Sequence, residues 1–380
     1  MKKICFVTTV PITLHSFVVP FAQYLHEHAA YDITFICSGG ETPPAPFPSW
    51  IHYIPVAMKR GISLGGFRAV WEMIRIFRRE RFDMVQYSTP NAAVYAALAA
   101  WIAGVPVRKY HHMGFRYLSF RGLVRLAFQK LEQLACALST DIECVSASNR
   151  KLGIEEGIFP AQKSKVILSG SSVGLDCKRF DFSQREPWRR SVREQFHFSA
   201  EDCVFGFVGR ITRDKGVGEL LDAFAGVDRS GVKLLLIGDQ ELDSALKAKL
   251  DDTLARDPRV ICHEAVSCIE QYYAALDVLV LPSYREGFGM VVLEAEAMGV
   301  PVIVTDIPGP TDAMQPDVTG LVVDKQDVDA LRQAMQTLAD APGLRAQFGK
   351  SAHEYAVERF EQKRLFQAML EDRKQLLGEK

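Results

Sequence analysis

The sequence lacks the marks of several common protein classes. No apolar run in its 380 residues reaches the ~18 residues that predict a membrane-spanning helix. The eight cysteines are scattered, with no close pair at metal-ligand spacing, so we expect buried thiols in a reducing cytosol rather than a zinc site or a disulfide framework. The opening MKKICFVTTV has too short an apolar part for a signal peptide, and we interpret it as a first strand.

The chain as a whole has almost no net charge, but its two halves carry net charges of opposite sign. The formal net charge is −1, yet residues 1–180 hold 21 Lys and Arg against 12 Asp and Glu, and the remainder holds 24 against 34. A basic first half predicts an anionic partner for that half. No RNA-binding motif accompanies the charge, so we expect no nucleic acid.

The length suits two domains, and the hydrophobic pattern predicts their class. Short apolar runs alternate with amphipathic helical stretches up to Ser146. The alternation restarts at Cys203 and continues through KLLLIGD, VICHEAV, DVLVLPS and PVIVTD. This pattern predicts an α/β protein with two doubly wound parallel sheets. The small residues of Val166–Phe180 indicate a hinge, which places the domains at 1–180 and 181–360.

The segment from Leu281 to Asp306 predicts a strand, a glycine loop, a helix and a second strand. The helix should begin near Phe288–Met290, end at Gly299 and be blocked from continuing by Pro301. Its amino end favours an anion such as phosphate. Glu286 lies in the loop, and Glu294 lies about one turn inside the helix, so both carboxylates could face one ligand.

A second segment, Gly209–Gly216, presents two cations after another predicted strand. Arg210 and Lys215 are suited to phosphate, the first as a fork and the second as a point charge. Ligands of open α/β sheets bind beyond the carboxyl ends of the strands. Taken alone, each segment is also consistent with solvated charges, but together they predict a nucleotide diphosphate sugar: cations for the diphosphate and carboxylates for hydroxyl groups.

These motifs resemble those of the retaining family 4 glycosyltransferases. The matching text is GRITRDKG, EGFGMVVLEAEAMGVPVIVTDIPGPTDAM and TGLVV, in the family's order. More weakly, PITLHSFVVPFAQYL and GSSVGLDCKRF resemble the branch that builds bacterial capsule, O-antigen and protein glycans on lipid carriers. The resemblance implies the GT-B fold, with two Rossmann-like domains facing a central cleft. It also implies that the final helix, 361–380, returns to the first domain.

The resemblance also assigns roles to individual residues. Arg210 and Lys215 would bind the donor diphosphate, Glu294 the ribose, and Glu286 the donor sugar near the reacting centre. The other expected donor contacts are the backbone of Phe288, Gly289 and Met290, the base-holding turn at Val266, and Glu270 nearby.

Catalysis is expected to need no metal and no cofactor. Neither motif segment contains the Asp-x-Asp by which GT-A enzymes usually hold a metal, and Arg210 and Lys215 can stabilise the departing nucleoside diphosphate instead. The family is usually assigned same-face attack, so no covalent residue is named.

The first half departs from the family pattern in two places. Val10-Pro11-Ile12-Thr13 stands where many relatives have a Gly-Gly loop, and Met113 stands where many have a histidine before a glycine. His112 or His111 is therefore the candidate for orienting acceptor or donor, and a structural histidine pair is the alternative.

Two segments, Met58–Arg81 and Phe115–Lys130, interleave apolar and basic residues. They predict docking on an anionic bilayer, with a cytoplasmic protein peripheral on the inner face of the membrane. The alternative is that their apolar faces belong to the core.

The sequence as a whole predicts transfer of a hexose or N-acetylhexosamine from a UDP-sugar to a polyprenyl-diphosphate-linked saccharide. Two alternatives are a UDP-sugar 2-epimerase of the same architecture and a non-catalytic nucleotide-sugar-binding partner. The pairing of Arg210 and Lys215 with Glu286 and Glu294 favours transfer.

Overall fold

A computed structural model describes residues 1–39, 47–58 and 65–379. The sequence also predicts a proline-rich loop at 41–50 and a helix from Ile62 to Arg81. Most of that loop and the first residues of that helix lie outside these described residues.

The chain divides into two compact units. The first unit comprises Met1–Gly174 with Lys363–Lys380, and the second comprises Leu175–Gln362. The first unit contains strands β1 (Lys3–Thr8), β2 (Asp32–Cys37), β3 (Ile51–Pro55), β4 (Met84–Tyr87), β5 (Val107–His112), β6 (Asp141–Cys144) and β7 (Ser164–Lys165). The second contains β8 (Cys203–Val208), β9 (Val232–Ile237), β10 (Val260–His263), β11 (Val278–Leu281), β12 (Val302–Thr305) and β13 (Gly320–Val323).

Helices separate most of these strands. Those of the first unit are α1 (Pro11–Thr13), α2 (Val19–Ala29), α3 (Gly65–Glu80), α4 (Pro90–Ala103), α5 (Gly122–Leu138) and α6 (Ala147–Glu155). Those of the second unit are α7 (Arg185–Gln195), α8 (Val217–Ala225), α9 (Ser244–Arg256), α10 (Ile269–Ala275), α11 (Met290–Ala297), α12 (Val328–Asp340) and α13 (Pro342–Phe360). The last helix, α14 (Gln362–Leu376), lies almost wholly within the first unit.

Both sheets have the strand order of dinucleotide-binding folds. The first runs β3-β2-β1-β4-β5-β6-β7 and the second β10-β9-β8-β11-β12-β13. All pairings are parallel, for example Phe6 opposite Phe35 in the first sheet and Leu279 opposite Val302 in the second. Parallel strands with helical crossovers are buried on both faces, which explains their continuous apolar runs. The predicted doubly wound α/β class is confirmed.

The basic helices α3 and α5 pack against α4, but only part of each apolar stripe is buried. On α3, Val70 and Phe77 belong to the core, whereas Phe67 and Trp71 are exposed. On α5, Leu123 is 85% exposed. A helix whose apolar stripe is wider than its contact leaves large apolar side chains on the surface, where they need a further explanation.

Among the described residues, no helix has both the length and the apolar content needed to cross a bilayer.

A buried ionic cluster attaches α14 to the first sheet. Arg373, fully buried, donates to Glu143 Oε2 at 2.5 Å and to Gln86 Oε1 at 2.9 Å. Lys109, also fully buried, lies 3.0 Å from Glu143 Oε2 and 2.8 Å from Asp372 Oδ2. Burial alone would raise the pKa of Glu143, but the two cations hold that pKa well below its ordinary value. The cluster is therefore charged, and each charge has its counter-charge.

Breaking this cluster from one side should destabilise the first unit. Arg373→Leu leaves Glu143 buried with one cation fewer, and the expected loss is about 3–5 kcal/mol in the free energy of unfolding. Urea denaturation followed by circular dichroism measures it. Lys374→Leu is the matched control, because its partner Glu371 is exposed and the expected change is about 0.5 kcal/mol or less. Equal losses in the two variants would show that the cluster does not hold α14.

Candidate functional site

The order of the second sheet brings two loops together at one edge. Strand β8 lies between β9 and β11, so the chain crosses to one side after β8 and to the other side at β11. Ligands of open α/β sheets bind at this switch point, outside the carboxyl ends of the strands. The loop after β8 is Gly209–Gly216, and the loop after β11 runs from Pro282 to Gly289. These are the two segments that the sequence singled out.

Asp214 ties the two loops to each other. Its carbonyl oxygen accepts the backbone N–H of Tyr284 at 2.9 Å, and its carboxylate pairs with Arg285 at 3.0 Å. Thr212 Oγ1 donates to the same carboxylate at 2.6 Å. Burial alone would raise the pKa of Asp214, but the bond from Thr212 and the charge of Arg285 hold it below its ordinary value. An ionised Asp214 therefore fixes the spacing of the loops.

Glycine permits the close approach of these loops. Gly216 has φ +70°, and a Cβ there would lie 2.1 Å from the carbonyl oxygen of Pro282. Gly309 has φ +106°, and a Cβ there would lie 2.8 Å from the carbonyl oxygen of Gly287. Neither position admits a side chain without moving backbone that borders the site.

Lys215 and Glu286 form an ion pair at the centre of the site. The Nζ of Lys215 lies 2.5 Å from Oε1 of Glu286, and Ser283 Oγ donates to the same oxygen at 2.8 Å. Both side chains are largely buried, with 20% and 13% of their surface exposed. The cation predicted for phosphate and the carboxylate predicted for sugar thus pair with each other.

Arg210 lies at the same edge but is more exposed. Its Nη1 is 2.6 Å from Oε2 of Glu241, and both side chains are about half exposed. A pair this exposed is worth little, so Arg210 can leave Glu241 for an anionic ligand at small cost. The sequence analysis did not identify Glu241, and no local signal marks it.

Glu294 lies inside α11, which begins at Met290 after Gly289. Tyr273 of α10 donates its hydroxyl to Glu294 Oε2 at 2.8 Å. Burial raises the pKa of the Glu294 carboxyl, while the bond from Tyr273 opposes the rise. The carboxylate is thus held in one orientation by a rigid donor. Its oxygens can accept hydroxyl groups of a ligand.

The turn that contains Val266 is fastened by Arg179, a residue that the sequence analysis did not single out. Arg179 donates to the carbonyl oxygen of Ser267 at 2.9 Å and to Glu270 Oε2 at 3.0 Å. Glu270 is therefore committed to an ion pair within the second unit. The only available signal for Arg179 was its place in the GSSVGLDCKRF text.

The side chain of Phe288 points into the core, where its ring packs against Phe360 at 5.5 Å between centroids. Its predicted contribution to a ligand site would thus be made by its backbone, next to the start of α11.

Two family models match this chain, one in each unit. The model of the family described as "Glycosyltransferase Family 4" matches residues 15–171, and that described as "Glycosyl transferases group 1" matches residues 189–355. The capsular polysaccharide biosynthesis glycosyltransferase CapM of Staphylococcus aureus is 31% identical over 87% of this chain and 86% of its own.

The chain belongs to the family 4 glycosyltransferases.

A further relative and two solved structures share less sequence identity with this glycosyltransferase. The UDP-Gal:alpha-D-GlcNAc-diphosphoundecaprenol alpha-1,3-galactosyltransferase of Escherichia coli is 24% identical over 82% of this chain and 80% of its own. Among solved structures, Anabaena HepE in complex with UDP has a TM-score of 0.78 at 20% identity, covering 99% of this chain and all of that one. Sucrose-phosphate synthase of Thermosynechococcus elongatus has a TM-score of 0.80 at 19% identity, with full coverage of both. At these identities the structures show the fold alone, which is GT-B.

His112 of the glycosyltransferase ends β5 as a fully buried side chain. Its ring packs against Phe115 at 4.3 Å between centroids, and its Nε2 lies 3.4 Å from Glu132 Oε1. His111 is also buried, and burial, with Arg373 and Lys109 nearby, lowers its pKa to about 4. This packing favours the alternative of a structural histidine pair in the first unit over a role in catalysis.

One Asp-x-Asp sequence does occur, at Asp327-Val328-Asp329, and the sequence analysis passed over it. Asp327 caps α12 by accepting the N–H of Ala330 at 2.9 Å, and Asp329 pairs with Arg332 at 3.4 Å. The two carboxylates thus belong to a helix start. In the part of the chain that the structure describes, no three His, Cys, Asp or Glu side chains are grouped to hold a metal.

Glu296, two residues after Glu294, is fully buried where α11 packs on α13. Thr319 provides the nearest hydroxyl, but neither carboxyl oxygen makes a hydrogen bond of ordinary geometry within the described residues. Burial raises the pKa of Glu296 well above its ordinary value of 4.5. The folded protein therefore holds this proton more tightly than the unfolded chain.

This predicts a pH-dependent gain from Glu296→Leu. Wild-type stability falls as pH rises from about 4.5 toward the folded pKa, by about 1.4 kcal/mol for each unit of pKa difference. The leucine variant lacks this loss, so its stability advantage should grow between pH 5 and pH 8 in urea denaturation. Glu354→Leu, at an exposed position on α13, is the control. A difference between Glu296→Leu and wild type that does not change with pH would contradict a buried neutral carboxyl.

Proposed function

We propose that this glycosyltransferase transfers a hexose or N-acetylhexosamine from a UDP-sugar to a polyprenyl-diphosphate-linked saccharide in bacterial surface polysaccharide biosynthesis. The Lys215–Glu286 pair at the switch point of the second sheet carries the proposal, with Arg210 in the same loop as Lys215 and Glu294 on the helix that follows Glu286. It supplies cations and carboxylates side by side, as a sugar esterified to a diphosphate requires.

The names of the relatives support the choice of substrates. One acts in capsular polysaccharide biosynthesis, and one moves galactose from UDP-Gal to a GlcNAc-diphosphoundecaprenol. HepE is described in complex with UDP-glucose as well as UDP. By analogy with these proteins, we propose the class of the donor sugar and the class of the acceptor glycan.

Binding of the donor would exchange partners at the site. The diphosphate takes Lys215 from Glu286 and Arg210 from Glu241. Glu286 then loses its cation, and its carboxylate would accept a hydroxyl of the donor sugar. Glu294, oriented by Tyr273, accepts the vicinal hydroxyls of the ribose, and the turn around Val266 holds the base through its backbone.

Charge builds on the leaving nucleoside diphosphate as the anomeric bond breaks. Arg210 and Lys215 would stabilise that charge, and the start of α11 at Gly289 and Met290 would add its dipole. Two cations and a helix start can stabilise the leaving group without a metal, so we propose metal-independent transfer. The acceptor oxygen attacks from the face that the diphosphate leaves, with retention and with no covalent enzyme residue.

Substitution at the two ends of the donor should separate chemistry from binding. Lys215→Ala should lower kcat by about 10²- to 10³-fold, because its charge acts mainly on the leaving group. Glu294→Ala should mainly raise KM for the donor, by about 10- to 100-fold, because ribose is bound alike before and during reaction. Transfer from a UDP-sugar to a lipid-linked acceptor extract measures both.

Lys249→Ala is the control for charge, because its pair with Asp222 lies on the surface of the same unit. Full activity in Lys215→Ala and Glu294→Ala would contradict the donor site. A new sugar nucleotide formed without any acceptor would identify an epimerase instead.

We also propose that the first unit docks on the inner face of the cytoplasmic membrane. Phe67 (76% exposed) and Trp71 (59% exposed) accompany the arginines of α3, and Leu123 stands beside Arg121 and Arg125 at the start of α5. Apolar side chains flanked by arginines suit an anionic bilayer.

Vesicle co-sedimentation tests the docking. Binding should require anionic lipid and weaken as salt rises. The double variant Trp71→Ser with Leu123→Ser should bind several-fold more weakly, whereas Leu254→Ser, exposed in the second unit, should bind as wild type. Absence of wild-type binding at low salt would reject the proposal.

A further inference from the structure

An apolar groove of about 320 Å³ opens on the first unit between α3, α4 and α5. Its walls are aliphatic and aromatic apart from Asn91, Arg116 and Glu132; the apolar lining comprises Phe67, Val70, Pro90, Val94, Tyr95, Leu98, Tyr117, Phe128, Leu131 and Leu134. Cavities of about 150 Å³ lined by such side chains hold a benzene ring. This groove is roughly twice as large, so it can hold a short length of branched hydrocarbon.

The groove is open because the side chains around it do not fill it. Gly66 has no side chain, and a Cβ there would lie 2.7 Å from the hydroxyl of Tyr95, so glycine lets α3 approach α4 closely. The large side chains of Phe67 and Leu134 remain exposed at its rim instead of filling it. Side chains that filled this space would bury more apolar surface, so leaving the groove open lowers the stability of the protein.

One end of the groove is polar and cationic. Pro90 and Asn91 begin α4 just after β4 ends, and Arg116 follows the end of β5, so this end lies at the carboxyl edge of the first sheet. The guanidinium of Arg116 donates to Asn91 Oδ1 at 3.1 Å and lies 5.1 Å from the ring centre of Phe128. A 14-residue helix start and an arginine together attract an anion.

The single carboxylate in the lining does not oppose an anion at that end. Glu132 is buried and accepts the hydroxyl of Tyr110 at 2.7 Å, with Nε2 of His112 at 3.4 Å from the same oxygen. It is committed to the interior of the unit rather than to the mouth of the groove.

The rim of the groove is apolar. Phe67 and Leu134 line the groove and are exposed, and the exposed Trp71 lies one turn after Phe67 on α3. A ligand with an anionic head and a long hydrocarbon tail therefore meets charge at one end and apolar surface along its whole length.

We propose that this groove binds the polyprenyl diphosphate of the acceptor, with the first isoprene units between α3, α4 and α5 and the diphosphate at Arg116. The inference rests on the proposed function for the presence of a lipid-linked acceptor. A second copy of this chain would use the apolar walls but would give no role to the cationic end. An anionic phospholipid would use both, but the cationic end lies at the carboxyl edge of the first sheet, where open α/β sheets bind their ligands. This position favours the diphosphate of an isoprenoid substrate.

Soluble isoprenoid diphosphates test the groove in detergent-free buffer. Geranylgeranyl diphosphate should bind at least tenfold more tightly than dimethylallyl diphosphate, because each added isoprene unit leaves water for an apolar wall. Geranylgeraniol, which lacks the diphosphate, should bind at least tenfold more weakly than its diphosphate. Isothermal titration calorimetry measures all three.

Two variants change the groove, and one control leaves it unchanged. Leu98→Trp fills it and should lower affinity for geranylgeranyl diphosphate at least tenfold, with little change for dimethylallyl diphosphate. Leu134→Ser changes only an exposed residue at the rim, so this variant should fold as wild type. Its affinity for geranylgeranyl diphosphate should fall about threefold. Ile102→Trp, one turn after Leu98 and exposed outside the groove, should bind as wild type.

The outcomes separate this inference from the proposed function. Binding that does not depend on chain length, or that is unchanged in both groove variants, would overturn the groove while leaving donor binding intact. Competition by phosphatidylglycerol vesicles as strong as that by the diphosphate would assign the groove to bilayer lipid, and a dimer lost in Leu98→Trp would assign it to a second copy. Failure of UDP to bind the wild-type protein would instead count against the proposed function, whatever the groove binds.

Discussion

The candidate site depends on the parallel pairing of β8 with β11 at the centre of the second sheet. Because all strands of that sheet point the same way, their carboxyl ends share one edge. Strands β9 and β11 lie on opposite sides of β8, so the strand order reverses at β8 and leaves a crevice at that edge. Lys215 and Glu286 are 71 residues apart in sequence, yet this pairing brings them into contact. Asp214 holds the loops at a fixed spacing, and Gly216 permits it. In the proposed function, the diphosphate of the donor separates this ion pair by taking Lys215 from Glu286.

Much of the architecture could be predicted because the signals are local. Gly299 and Pro301 end α11 where expected, since a left-handed residue and a missing N–H act within one turn. Parallel strands buried on both faces have continuous apolar runs, so most strands were predicted to within one or two residues. The run VICHEAV is an exception, because the strand ends at His263.

The partners of charged residues could not be predicted in the same way. Which carboxylate Lys215 contacts, or that Glu270 is held by Arg179, depends on side chains that meet only after the sheet forms. Arg373 is a clear case. In sequence it belongs to a charged final helix that looks solvated, but the structure buries it completely against Glu143. The apolar stripe of α3 is only partly buried, with Phe77 in the core and Phe67 at the surface. Helical periodicity predicts the stripe but not which of its residues are buried.

The central claim is that a nucleoside diphosphate binds at the carboxyl edge of the second sheet. Hydrogen–deuterium exchange with and without UDP measures this directly. We predict slower exchange in the segments 209–217, 264–270 and 283–295, with the Lys215→Ala variant showing little protection at the same UDP concentration. Protection confined to other segments, or unchanged in that variant, would contradict the account.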